Sequence, residues 1–133
     1  MKLDVSPVVG TDRALIGEFY IDVSFGSGDG SSFEGAASNF IDSNDQDYTG
    51  TLIISGGRIF RLVNPAEGDT LDSFIDGNLT SPTGEVISID GLTIGDFYGL
   101  GYTFVLGDIL GDATVDGVAA DLTGEFLGAQ AAP

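Results

Sequence analysis

No cysteine and no histidine occur among the 133 residues. Without thiols, disulfides, thiolate zinc sites and cysteine nucleophiles are excluded. Without imidazole, the chain lacks the usual general base and the commonest metal ligand. Positive charge is scarce as well. Lys2, Arg13, Arg58 and Arg61 stand against 21 Asp and Glu, for a net charge of −17. Such a chain repels DNA, RNA and anionic membrane, because phosphate contacts need clustered Lys and Arg. It suits a basic partner or a cation, and it also serves solubility. Long apolar runs are missing: none approaches the ~18 residues of a spanning helix, so direct membrane insertion is not expected. The start, MKLDVSPVVGTDR, has neither the apolar core nor the cleavage pattern of a signal peptide. The expectation is a mature form carrying a new Met, or a native start that is not exported by the usual route.

Helical periodicity is nearly absent too, and alternation replaces it. In LIGEFYIDVSF, Phe19, Ile21, Val23 and Phe25 share one face while Glu18, Tyr20, Asp22 and Ser24 share the other. Leu100, Tyr102, Phe104 and Leu106 alternate in the same way. So do Val118, Ala120, Leu122 and Phe126, with Asp121, Thr123 and Glu125 opposite. One buried face and one wet face indicate an antiparallel sheet. Hydrophobic residues make up 42% of the chain, enough for one core and one domain over residues 1–133. Residues 1–13 read as an extended N-terminal arm and 128–133 as a tail.

Turn signals punctuate the runs: Gly26–Gly30, Ser43–Gln46, Gly56-Gly57, Ser81–Gly84, Asp90-Gly91, Gly107-Asp108 and Asp116-Gly117. A longer connection spans Asn64–Thr70. Candidate strands are 14–25, 31–40, 48–55, 58–63, 72–80, 85–90, 92–98, 100–107, 110–116 and 118–127, some of them merging. The fold class is all-β: a small antiparallel up-and-down barrel of about eight strands, either fully or incompletely closed. Glycines interleave with rings, as Gly17 with Phe19, Gly95 with Phe97, and Gly124 with Phe126. In a small barrel the rings fill the centre and the glycines relieve crowding where strands coil.

The stretch Val23–Gly57 carries Phe25-Gly26-Ser27, then Gly35–Phe40 (GAASNF), then Tyr48–Leu52 (YTGTL). LTSPTGEVISIDG, GDFYG and GDATVDGVAADLTGEFLG follow. These segments resemble the β-barrel domain of transferrin-binding-protein-like bacterial surface lipoproteins, over about residues 15–128. The resemblance implies an eight-stranded antiparallel barrel, usually exported and lipid-anchored, in a family where several members bind host proteins or haem. Its motifs are structural and speak to fold more than to activity. No lipobox cysteine is present to support anchoring. The family's opening strand is not evident in MKLDVSPVVG, and the chain ends at GAQAAP where some relatives add a closing strand. Those gaps predict an open sheet edge completed by another copy.

Four residues of the acidic turn DSNDQD could ligate calcium: Asp42, Asn44, Asp45 and Asp47, oxygen donors close in sequence. An EF-hand loop would need glycine and glutamate where Asp47 and Ile53 stand, so a solvated hairpin turn is the competing reading. Gly26–Phe33 is glycine-rich but lacks the lysine and helix of a phosphate loop. A haem would need Tyr20, Tyr48, Tyr98 or Tyr102 as axial ligand. With so many acids, a carboxylate pair can arise by chance, and no motif marks a glycosidase. Arg58 and Arg61 alternate onto opposite faces, where an exposed ion pair is worth ~0–1 kcal/mol.

No cofactor is expected apart from that calcium set, and no catalytic role. The favoured reading is a surface or secreted binding module, recognising a protein or other ligand through barrel-end loops or an open edge. Two alternatives stand beside it. One is a structural assembly subunit, in a virion or filament, joined to copies of itself as a homo-oligomer. The other is a calcium-stabilised adhesin domain.

Overall fold

In the computed structural model the alternating runs become strands, and among the described residues there is no helix. Those residues are 1–24, 31–61, 69–98 and 104–129, with the Arg61 side chain excepted. The strands are β1 (Lys2–Pro7), β2 (Arg13–Ser24), β3 (Ser32–Asp42), β4 (Asp47–Tyr48), β5 (Leu52–Arg61), β6 (Asp69–Thr80), β7 (Val86–Tyr98), β8 (Phe104–Val115) and β9 (Val118–Ala129). The ring runs β1-β2-β3-β5-β6-β7-β8-β9 and returns to β1, each neighbour antiparallel. Strand β4 lies outside the ring, paired to the end of β3. The chain is an eight-stranded up-and-down barrel.

Closure comes from a segment that the sequence pattern assigns to an arm. Leu3 and Val5 lie opposite Leu15 and Arg13 of β2, and opposite Gly124 and Leu122 of β9. Both side chains are fully buried. The apolar pair in KLDVSP is short, but it falls between two strands that need a partner. The sequence leaves the ring's closure open, and this chain's own β1 closes it.

Three turn signals lie inside strands. Asp90-Gly91 is in mid-β7 and Gly107-Asp108 in mid-β8, so the runs on either side merge. Gly56-Gly57 is a bulge in β5, where the register against β6 shifts between Ser55 and Arg58. Gly56 takes φ 62°, and the extra residue reverses the alternation, so that Ile54 and Ile59 both point inward. The predicted turns at Ser43–Gln46, Ser81–Gly84 and Asp116-Gly117 do connect strands. Gly26–Gly30 lies outside the described residues, as does most of 64–70.

The core follows from the inward parity. Leu15, Leu52, Ile75, Leu79, Ile87 and Ile109 are completely buried, and Phe33, Phe40, Phe97 and Phe126 fill the space between them. Burying each such side chain contributes roughly 1.5–3 kcal/mol. Rings and glycines meet across strands rather than along one. The Phe40 ring lies on Gly17, and the tip of Phe126 covers Gly95 and Gly107, which face each other in β7 and β8. One apolar face is reversed from expectation. Phe104 and Leu106 are about half exposed on the outer wall, and Val105 between them is buried. Parity counted back from Ile109 and Gly107 requires this. Leu100 and Tyr102 lie outside the described residues.

Tight turns gather at one end, here the lower. There Arg13 grips Glu85 through two bonds, Nε to Oε1 and Nη2 to Oε2, each 2.8 Å. The hydrogen bond to Glu85 raises the guanidinium pKa further. Tyr48 is buried beside this pair, and desolvation, then the charge of Asp42, pushes its hydroxyl pKa above the usual value. The upper end is where β2 finishes at Ser24 and β3 begins at Ser32.

Candidate binding surface

Antiparallel register assembles the outer wall into rows of side chains that are distant in sequence. One row is acidic. Asp76 lies opposite Asp90, Asp90 opposite Asp112, and Asp112 opposite Asp121. All four are exposed. Directly opposed like charges destabilise by about 0.2–1 kcal/mol per pair. Asp90 has such a neighbour on both sides, so Asp90→Asn is expected to stabilise the barrel by about 0.5–1 kcal/mol. Thermal unfolding across a sodium chloride series checks this. The parent should gain stability with salt, and the gap to Asp90→Asn should narrow as salt screens the row.

Above that row apolar side chains stand among acidic ones. Phe74 lies opposite Leu92, and Leu92 opposite Leu110. The next row up is mixed, with Ile94 between Asp72 and Asp108, and Asp108 opposite Glu125. Nearer the upper end, Leu106 lies between Asp96 and Leu127, and Tyr98 faces Phe104. The exposures of these apolar residues run from 40% for Tyr98 to 69% for Leu127. Isolated exposed apolar residues are ordinary, but side chains in adjoining register positions make a patch, and patches of this kind mark interaction sites.

The patch borders a groove of about 520 Å³ lined by Gly56, Arg58, Asp72, Phe74, Leu92 and Ile94, with Ser73 and Thr93 beneath. The bulge makes room for it. Gly56 carries no side chain, and a Cβ there would stand 2.9 Å from the Phe74 ring. Arg58 donates to both carboxylate oxygens of its cross-strand partner Asp72, at 3.2 Å each, and its guanidinium lies 5.1 Å from the centre of the Phe60 ring. Ser73 and Thr93 hydrogen-bond to each other at 2.5 Å inside the wall. The groove thus offers apolar walls over a pair of hydroxyls and beside one charged fork, a lining that suits a side chain of mixed character.

The sequence-predicted calcium set sits in the β3–β4 turn at the lower end, away from this surface. One oxygen of Asp42 accepts the amides of Asn44 at 2.8 Å and Gln46 at 3.0 Å, an Asx-type turn. Its other oxygen faces the Tyr48 hydroxyl at 3.5 Å. Asp45 adopts φ 59°, and Asp47 pairs with Ile41. Asp42 is thus engaged in shaping the turn. Among the described residues, no three acidic side chains converge in a way that could hold a metal ion. The tyrosines are dispersed: Tyr48 is buried at the lower end, while Tyr20 and Tyr98 are exposed on the wall. Tyr98 stands by Asp96, whose charge raises its hydroxyl pKa. Tyr102 lies outside the described residues.

Sequence reasoning found Arg58 and missed the two rows. The acidic row had a sequence signal in Ile75-Asp76-Gly77 and Ile89-Asp90-Gly91, whose aspartates lie at equal distance from Thr83 in the intervening turn. Comparison with protein-family models, with curated proteins and with solved structures finds no match.

Proposed function

We propose that this barrel is a non-catalytic recognition module that meets a protein partner with the upper half of its outer wall. The observation that carries the reading is the adjoining register of Phe74, Leu92 and Leu110, with Ile94 and the Leu106–Leu127 pair above them among Asp72, Asp96 and Asp108. Nothing in the core requires these side chains to be apolar. A lipid-facing barrel wall would need an unbroken apolar band. The aspartate row interrupts the wall, and the inward side is apolar rather than polar, so protein supports the reading better than lipid does. The charge of −17 favours a partner that is neutral or basic at its rim. The resemblance to transferrin-binding-protein-like barrels adds a cell-surface or secreted location to the proposal.

Photocrosslinking tests it in the cells that make the protein. A photoreactive side chain at position 92 or 106 should give a discrete adduct with another protein, and one at position 112 in the aspartate row should not. Adducts only with the protein itself would favour the assembly-subunit reading. No adduct from either wall position would end the recognition reading of the wall.

A further inference from the structure

Asp108 stands exposed on the outer wall in mid-β8. Its cross-strand neighbours are Ile94 of β7 and Glu125 of β9. Along its own strand the next outward residues are Leu106 and Leu110. Leu92 and Leu127 take diagonal positions, as the outward neighbours of Ile94 and Glu125. The apolar members of this ring are between 45% and 69% exposed. Asp96 and Thr123 fill the remaining diagonals, and no basic residue occupies any position around Asp108.

Among the described residues no cation compensates this carboxylate. The ion pairs there are Lys2–Asp4, Arg13–Glu85 and Arg58–Asp72. Lys2 lies on the far side of Glu125 in the register, and its ammonium stands 4.0 Å from Asp4. Directly opposed residues have Cβ atoms about 4.5–5.5 Å apart, so Asp108 and Glu125 repel each other. In water that repulsion is mild. Under a partner it is not, because a surface that covers the apolar ring takes Asp108 out of water with it. A carboxylate buried without a donor or a counter-charge is strongly unfavourable. Whatever covers the ring must therefore bring a donor to its centre.

We propose that the partner of this wall is a protein surface presenting an arginine from within an apolar patch, with the guanidinium seated on Asp108 and Glu125. Arginine suits the place better than lysine. Its planar fork offers several donors to carboxylates on adjacent strands, it is less strongly hydrated, and its stem and flat face can lie against the flanking aliphatic side chains. Arginine is also enriched at the energetic centres of interfaces, ringed by contacts that exclude water. The aspartate row below is a poorer seat, because Asp112 has an aspartate on either side and one arginine would leave charge uncompensated. A second copy is disfavoured as the occupant. Arg13 and Arg58 are engaged by Glu85 and Asp72, and each chain carries a charge of −17. The proposal rests on the recognition reading and adds the partner's chemistry to it.

The test places a photoreactive side chain at position 92, in the cells that make the protein, with and without Asp108→Asn. The neutral isostere should cut the yield of partner adduct at least about tenfold. Asp112→Asn, in the aspartate row, should leave it within about twofold. Purified Asp108→Asn should melt no lower than the parent, since it relieves the repulsion from Glu125, so the lost adduct is not lost folding. Mass spectrometry should place an arginine in the crosslinked surface of the partner. Changing that arginine to glutamine should cut the yield as Asp108→Asn does, and the two changes together should cut it no further. An adduct undiminished by Asp108→Asn, a crosslinked surface without arginine, or additive losses would overturn the proposal and leave the recognition reading standing. Adducts with the protein itself alone would overturn it in favour of assembly. No adduct from the parent would end both readings.

Discussion

Gly107→Val is expected to cost at least ~3 kcal/mol of folding stability, enough to leave much of a marginal barrel unfolded. Gly107 of β8 faces Gly95 of β7, and the two strands approach closely there. A Cβ at Gly107 would overlap the carbonyl oxygen of Ile94, stand 2.6 Å from the Gly95 Cα, and stand 2.7 Å from the tip of the Phe126 ring. Two of those three obstacles are backbone of the neighbouring strand, which cannot move without opening the ladder. Gly128→Ala provides the contrast. Its new Cβ would stand 2.9 Å from the end of the Phe19 ring and 3.3 Å from a Val105 methyl, both side-chain atoms rather than backbone. Its cost should stay within about 1 kcal/mol. Urea unfolding midpoints of the two variants, at unchanged slope, give the comparison.

Phe126→Ala should cost about 3–5 kcal/mol, and Phe104→Ala less than about 0.5 kcal/mol. The two rings look alike in the sequence, each two residues from a leucine or a glycine in a strand-like run. Phe126 is 6% exposed, roofs two glycines and holds the edge of Phe19, so removing it opens a cavity over the closest strand pair. Phe104 is 50% exposed on the outer wall. Calorimetric unfolding of both variants reads this difference. Equal losses would mean that the register of β8 against β9 is wrong by a residue, since a slip of one exchanges the two faces.

The fold class was legible because alternation survives in nearly every run, and Ser81–Gly84 and Asp116-Gly117 are turns for the reason expected, residues that tolerate the required backbone. Asp90-Gly91 and Gly107-Asp108 misled because the same residues serve another need. Gly91 lies inside, where a Cβ would stand 3.0 Å from both the Leu110 carbonyl oxygen and the Leu122 side chain. A glycine demanded by cross-strand crowding and a glycine demanded by a turn read alike in one dimension. Gly56-Gly57 misled in a third way, since the bulge resets the alternation and so hides that β5 is continuous. The closing strand was missed because only Leu3 and Val5 mark it, too few for a period. The aspartate row and the apolar row were missed because each depends on register, which long strands joined by short turns fix only after the turns are placed correctly.

Such a barrel divides its labour by height. The lower half is sealed by β1, by Phe40 on Gly17 and by the Arg13–Glu85 pair. The upper half keeps the exposed apolar side chains of the outer wall, on the side away from the tight turns. Stability and recognition then draw on different residues, so substitutions at Leu92 or Leu106 should alter contact without unfolding the chain.

Amide hydrogen exchange on the free protein, resolved residue by residue, probes closure of the ring by β1 most directly. Slow exchange is predicted for Leu3–Ser6 and for Ala120–Glu125, as strands paired on both sides. Fast exchange throughout Lys2–Pro7 would contradict it.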